Sequence, residues 1–245
     1  MNDCETINPY DGDTRPKTEQ VRDMFDSIAP AYDFMNRAMT FGIDKLWRAK
    51  AVKMIKNFKT EKILDIATGT GDLAILLTKK LSPKKLIGID LSEQMLEIGR
   101  KKVAQAGLDN IITLEQADCM NLPFENNTFD CITVAYGVRN FEHLEQGYRE
   151  MNRVIKPGGV LCVIELSTPT SPLVLPFYKA YTKWIIPAVG KMISKDVRAY
   201  SYLPESIAAV PQGENMLQLM KSAGFNDCKF TALTFGTCTI YLAVK

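Results

Sequence analysis

The sequence predicts an α/β fold, an open and mostly parallel sheet with helices on both faces. Three observations carry this reading. Short apolar runs alternate with runs of helical spacing between residues 62 and 167. Those short runs are apolar at nearly every position, as strands covered on both faces must be. The loop ATGTGDLA, after the first run, is glycine-rich at the point where such sheets bind ligands.

Residues 1–17 are polar and acidic and read as a disordered or draped arm, not as a signal peptide. From Thr18 to Phe58 the spacing is helical, with a break at Pro30. The strands follow as KILDIAT (62–68), KLIGIDLS (85–92), IITLEQAD (111–118), CITVAYG (131–137) and GVLCVIELS (159–167). Helices DLAILLTKKL (72–81) and EQMLEIGRKKVAQAG (93–107) separate the first three. The next helix carries Leu144, Tyr148, Met151 and Ile155 and is expected to stop at KPGG. After an insertion over 169–212 comes the helix NMLQLMKSAGF, then KFTALTF and TCTIYLAVK with only Gly236 between them. That pair predicts an antiparallel edge hairpin and a total of seven strands. The expected division is an N-terminal arm with helices over 1–58 and a sheet domain over 59–245.

Composition narrows the function. The 245 residues are 46% hydrophobic, and 30 Lys+Arg against 28 Asp+Glu leave a net charge of +2. That balance makes no case for a nucleic-acid surface. Six scattered cysteines without a C-x-x-C pair, and the single His143, make no plausible zinc set, so no metal is expected. No apolar run approaches the ~18–20 residues that span a bilayer.

Gly69, Gly71 and Ala74 satisfy G-x-G-x-x-G/A in a strand–turn–helix setting, which points to a nucleotide-type ligand. A pyrophosphate wants bare N–H groups and no nearby anion. Here Asp65 and Asp72 bracket the loop, an arrangement that suits a cationic ligand such as S-adenosylmethionine and disfavours a nicotinamide dinucleotide. Asp72 could equally cap its helix. Asp90, 19 residues after Gly71, could accept both ribose hydroxyls. Asp118 could accept from an adenine amino group or simply start a turn.

ITVAYGVRNF (132–141) is a strand that ends in Arg139 and Asn140. A buried arginine is rare unless it is paired or used. It could pair with Glu142 or Glu165. Asn140 could N-cap the next helix, and His143, one turn into that helix, is read as exposed and not as a base.

DIATGTGD, GIDLS and QADCMNLPF in this order resemble the class I S-adenosylmethionine methyltransferases over about residues 60–245. YDFMNRAMTFGIDKLW (32–47) and RVIKPGGVLCVIELSTP (153–169) are similar to the two signature stretches of the ubiquinone/menaquinone C-methyltransferase family, as is AYGVRNF. The resemblance implies a Rossmann-like seven-stranded methyltransferase sheet with the last strand antiparallel. It also implies methylation of a ring carbon of a lipophilic polyprenyl quinol, demethylmenaquinol first and a ubiquinone-pathway benzoquinol second. By position, Thr70, Asp90, Asp118 and Cys119 would contact the cofactor, Cys119 through its backbone. Three departures stand out: Asp44 where many members have histidine, Ala67 at the loop's first glycine, and Ala135 for a serine.

Within that resemblance, Arg139 would stabilise a forming phenolate or orient a water. Asn140 would hold the second oxygen or that water, and Tyr32 would close over the ring or merely pack. The N-terminal helices would cap the substrate cleft. In the insertion, Phe177, Tyr181, Trp184, Ile185 and Met192 fall near one helical face, opposite Lys179, Lys183, Lys191 and Lys195, with Pro187 dividing the helix. Such a segment suits a lid, a membrane surface or a homodimer contact. The expected location is cytoplasmic, at the inner face of the membrane. The rival readings are an O- or N-methyltransferase of the same fold and a non-catalytic cofactor-binding subunit.

Overall fold

The computed structural model describes residues 3–10, 12–186, 188 and 198–245. Its centre is one sheet of seven strands in the order β3-β2-β1-β4-β5-β7-β6. They are β1 Lys62–Ile66, β2 Lys85–Asp90, β3 Ile112–Gln116, β4 Phe129–Ala135, β5 Ile155–Leu166, β6 Asn226–Leu233 and β7 Cys238–Val244. The first five are parallel, and β7 lies antiparallel between β5 and β6. Strand order reverses between β1 and β4, which opens a crevice at their carboxyl ends.

The helices are α1 Asp3–Thr6, α2 Lys17–Ile28, α3 Tyr32–Thr40, α4 Asp44–Ile55, α5 Asp72–Leu81, α6 Glu93–Gln105, α7 Leu144–Val154, α8 Leu175–Ala180, α9 Arg198–Ala209 and α10 Glu214–Ser222. Side chains alternate across a strand, and here each alternate set has its own core. Leu64, Ile132 and Leu161 pack with Tyr148 and Met151 of α7 and Met216 of α10. Ile63, Cys131 and Val160 pack with Trp47 of α4, Leu77 of α5 and Leu96 of α6. Both faces of the inner strands are covered, which is why β1, β2, β4, β5 and β7 are apolar at most positions, whereas the edge strands β3 and β6 are largely exposed.

Three expectations shift. The helix α7 ends at Val154, and Ile155 opens β5, so KPGG lies within the strand. There Gly158 takes φ +73° and the β4–β5 register slips between Phe129 and Cys131, a bulge where the sequence suggested a helix stop. The last hairpin turns through Thr234–Gly236, longer than the single Gly236 expected. The N-terminal arm is draped: Cys4 is fully buried, and Glu5 accepts from Leu144 N at 2.8 Å.

The insertion departs from a single two-faced helix. After α8 the chain widens into a π-helical turn, Tyr181–Ile185. Tyr181 turns inward and donates from its hydroxyl to Met39 O, whereas Phe177, Trp184 and Ile185 are exposed. Pro187, Lys191, Met192 and Lys195 lie outside the described residues.

Candidate active site

Four connected hollows surround Tyr32 at the carboxyl ends of β1, β2 and β4. A narrow cleft runs past Gly69, Asp90, Asp118, Cys119 and Asn140. A largely apolar cavity of about 340 Å³ lies beyond it, walled by Met39, Trp47, Tyr181, Leu203 and Ile207, with Arg139 and the Asp44–Arg48 pair as its charged lining. A small polar hollow touches Asp65, Thr70 and Asp72. A chamber of about 50 Å³ is lined by Arg139, Asn140 and Tyr202.

The glycine loop is held by its own hydrogen bonds. Gly69 and Gly71 take φ +55° and +78°, a region glycine enters freely, and Ala67 joins them at +51°. Asp90 accepts from Gly69 N at 2.8 Å and Ser92 N at 2.9 Å, which ties the loop to the end of β2. Burial raises the Asp90 carboxyl above its usual range, against those two donors. Each of its oxygens keeps a lone pair for a ligand. A Cβ on Gly69 would stand 3.8 Å from the Tyr32 ring, so that ring lies over the loop.

The two acids that suggested a cationic ligand are engaged inside the protein. Asp65 is buried and accepts from the hydroxyls of Thr68, at 2.7 Å, and Thr133; burial pushes its carboxyl up to about 6. Asp72 is not the helix cap, since Gly71 holds that position. It pairs instead with Lys102 and, at 3.5 Å, with Arg48. Burial raises the Asp72 carboxyl, but Lys102, Arg48 and Arg37 outweigh it and hold it below the usual range. Lys102 also meets Asp33 at 2.7 Å, and Thr70 donates to Asp33 at 2.6 Å. One charged lattice thus locks α3 onto the glycine loop.

Asp118 starts a turn by accepting from Met120 N at 2.8 Å, and it lines the cleft as well. Cys119 is buried, and burial raises its thiol far above the usual value, so it offers no thiolate. Asp44 pairs with Arg48 and accepts from Thr40 at 3.0 Å.

Arg139 follows β4 in a short turn, Val138–Asn140, and is 6% exposed. Its Nη1 meets Glu165 Oε1 at 2.7 Å and also donates to Tyr136 O. Burial works against the guanidinium, yet Glu165, with Tyr32 and Tyr202, outweighs it and leaves the pKa above its ordinary value. Glu142 is not the partner; it accepts from Thr18 N and Oγ1. Asn140 does not cap α7 either, because His143 stands at that position, exposed and away from the hollows. Sequence reasoning missed Tyr136, which lines three of the hollows at φ +60°. A bulky residue there is strained, as functional turns often are. It also missed Lys102 and Asp33, whose meeting no local pattern announces.

The sheet order, with β7 antiparallel and a glycine loop answered by an acid at the end of β2, is that of the class I S-adenosylmethionine-dependent methyltransferases. A SAM-dependent methyltransferase of Thermotoga maritima shares the fold at a TM-score of 0.63 and 21% identity, over 91% of this chain and 99% of that one. The chain belongs to the ubiE/COQ5 methyltransferase family, whose model matches residues 13–245. It is 49% identical to a demethylmenaquinone methyltransferase of Bacteroides fragilis, over 98% of each chain. It is 44% identical to a ubiquinone/menaquinone biosynthesis C-methyltransferase, UbiE, of Geobacter sulfurreducens, over 94% of this chain and 90% of that one. The protein is an S-adenosylmethionine-dependent methyltransferase. The cleft suits that cofactor: Asp90 has acceptor capacity beside the loop, and apolar Ile89 and Met95 wall it.

Proposed function

We propose that this enzyme methylates a ring carbon of a polyprenylated quinol, converting demethylmenaquinol to menaquinol. The observation that carries this is the apolar cavity of about 340 Å³, which meets the cofactor cleft at Tyr32 and Tyr136 and has Arg139 on its wall. A bicyclic ring with an apolar tail fits such a lining; a charged amine does not. The names of the relatives support the same substrate.

S-adenosylmethionine supplies a methyl group made electrophilic by a sulfonium. Asp90 would hold its ribose, Asp118 and the Cys119 backbone its adenine, and Gly69 and Thr70, in the turn that Gly71 closes, would border its path along the loop. Asp65, through Thr68 and Thr133, keeps that loop in shape. The chain's task is then to make a ring carbon nucleophilic. Ionising a phenol of pKa about 10 at pH 7 costs about 4 kcal/mol. A bare guanidinium could offset most of that, since an adjacent cation lowers a pKa by about 1–3 units. The Glu165 carboxylate neutralises much of the Arg139 charge, so Arg139 acts chiefly as a hydrogen-bond donor to the forming phenolate. Its Nε is buried without a partner and is the atom for that bond. Asn140 orients the oxygen, and Tyr32 closes over the ring and excludes water. Residues 1–58 and the insertion 169–212 together cap this acceptor site.

A polyprenyl tail stays in lipid, so the cavity's rim meets a membrane. Phe41 and Phe177 line the cavity and are 79% and 77% exposed. Phe34 and Leu46 of α3 and α4, Trp184 of the insertion and Phe235 of the β6–β7 turn are also exposed, and exposed large apolar side chains in such number suit an interaction surface. Among the described residues no helix is long and apolar enough to cross a membrane. The proposed place of work is the cytoplasmic face of the membrane, with the exposed aromatic rim against lipid.

The purified chain, given labelled S-adenosylmethionine and demethylmenaquinol, should yield a ring-methylated product by mass spectrometry. A methyl on oxygen or nitrogen, or no transfer, would overturn the assignment. Replacing Phe41, Phe177 and Trp184 with serine should abolish flotation with liposomes; unchanged flotation would remove the membrane surface from the proposal.

A further inference from the structure

Among the described residues, five buried side-chain atoms have no hydrogen-bond partner. Four of them belong to residues that line the hollows around Tyr32: Tyr136 Oη, Arg139 Nε, Asn140 Oδ1 and Tyr202 Oη. Buried polar atoms are almost always partnered, and each orphan weakens the fold. Four in one place call for a common partner that arrives from outside.

Three of the four belong to residues of the 50 Å³ chamber, and their chemistry is complementary. Arg139 Nε donates only, Asn140 Oδ1 accepts only, and the Tyr202 hydroxyl does either. The amide of Asn140 is oriented by its Nδ2, which donates to Tyr136 O at 3.5 Å. Arg139 is fixed by Glu165 and Tyr136 O, so its Nε cannot turn away to find another acceptor. Tyr202 comes from α9 in the insertion and is 3% exposed. Tyr202 and Arg139 are close enough to interact electrostatically. The chamber holds an oxygen but not a bicyclic ring, and it shares Tyr32, Met39 and Arg139 with the large apolar cavity.

We propose that Tyr202 completes, with Arg139 and Asn140, a binding subsite for one ring oxygen of a phenolic acceptor whose ring lies in the apolar cavity. This rests on the reading of the enzyme as a quinol methyltransferase and adds a residue of the insertion to its catalytic set. In the phenol, the ring hydroxyl donates to Asn140 Oδ1 and accepts from Arg139 Nε. When solvent water takes that proton, the phenolate oxygen accepts from both Arg139 Nε and the Tyr202 hydroxyl. Tyr202 thus favours the ionised form, and the subsite discriminates for acceptors with an ionisable hydroxyl beside the carbon to be methylated.

The test is Tyr202→Phe, which keeps the ring and removes only the orphan hydroxyl. Thermal stability should be unchanged or higher, because no hydrogen bond of the free enzyme is lost. Affinity for S-adenosylmethionine, by calorimetry, should stay within about 2-fold, while kcat/KM for demethylmenaquinol falls on the order of 10- to 100-fold, the range of one hydrogen bond to a charged group. The acid limb of the pH–rate profile should move up by about one unit. Tyr202→Met, which also lacks the hydroxyl, repeats the test should the Phe variant fail to fold. In a cycle with Asn140→Ala the two losses should be non-additive, as for groups acting on one oxygen. Wild-type kcat/KM in folded Tyr202→Phe, an unmoved acid limb, or strictly additive losses would each overturn the subsite. Failure of the wild type itself to methylate the quinol would instead overturn the parent assignment.

Discussion

The two walls of the active site are built on opposite principles. On the cofactor side, around β1, β2 and the glycine loop, the carboxylates of Asp33, Asp65, Asp72, Asp90 and Asp118 all have partners within the protein. On the acceptor side, beyond β4, Tyr136, Arg139, Asn140 and Tyr202 each present a buried atom with none. The first wall is assembled before any ligand arrives, and its ligand adds to a satisfied frame. The second is incomplete alone, so its ligand relieves an existing deficit. Pre-organised groups lose little on binding, and unsatisfied groups discriminate sharply between a partner that fits and one that does not.

The largest expected break in that contrast is Arg139→Gln. It leaves Glu165 buried without its cation, so stability should fall by about 3 kcal/mol, the usual scale for a broken buried pair. Turnover should drop by about 100-fold or more, given a hydrogen bond lost to a developing charge. Adding Glu165→Gln should restore most of the melting temperature but not the turnover. Cofactor affinity should remain nearly constant in both variants, and a large rise in the cofactor Kd would erase the distinction between the walls.

Lys102→Met probes the opposite wall. It removes the cation shared by Asp33, Thr70 and Asp72. The cofactor Kd should rise by roughly 5- to 10-fold, about 1 kcal/mol for a partly exposed pair network, with kcat at saturation preserved. A fall in kcat with unchanged Kd would assign the lattice to the acceptor side instead.

The last test concerns the strap that spans the two, and it reads stability alone. Lys17 is buried, and its Nζ donates to Cys4 O and, at 3.4 Å, to Arg139 O. Burial lowers its pKa from 10.5 to about 8, only partly opposed by Cys4, Glu5 and Glu142. Between those values the unfolded chain holds a proton that the folded one has released, so this group adds stability as pH rises through the window. Denaturant unfolding at pH 8 and 10.5 should show the wild type gaining on Lys17→Met, by about 3 kcal/mol at most. A constant gap would mean that Lys17 stays charged in the fold.

Legibility in the sequence followed how local the cause was. The inner strands could be read because a doubly covered strand is apolar at most steps, and seven were expected where seven occur among the described residues. KPGG was read in part: the helix does stop there, at Val154, but the same Pro and Gly also bulge the strand that follows. Arg139 stood out as a charge at a strand's end, but its partner did not. Glu142 is three positions away and Glu165 twenty-six, and only the register that sets Ala135 opposite Ile164 brings the distant one near. Asp72 looked like a cap because caps are acidic, yet the turn placed Gly71 there. Nothing near Tyr202 in the chain marks it. Its orphan hydroxyl is a property of the assembled chamber.

Ala67 and Gly137 face each other across the mouth of the crevice. A Cβ on Gly137 would lie 2.6 Å from the Ala67 methyl and 3.2 Å from Val134 Cγ1. The two positions therefore share room for a single methyl, which the β1 loop has claimed at the expense of a left-handed alanine. A side chain at 137 would need the methyl at 67 removed and Val134 displaced, so that single methyl acts as a spacer between donor loop and acceptor turn.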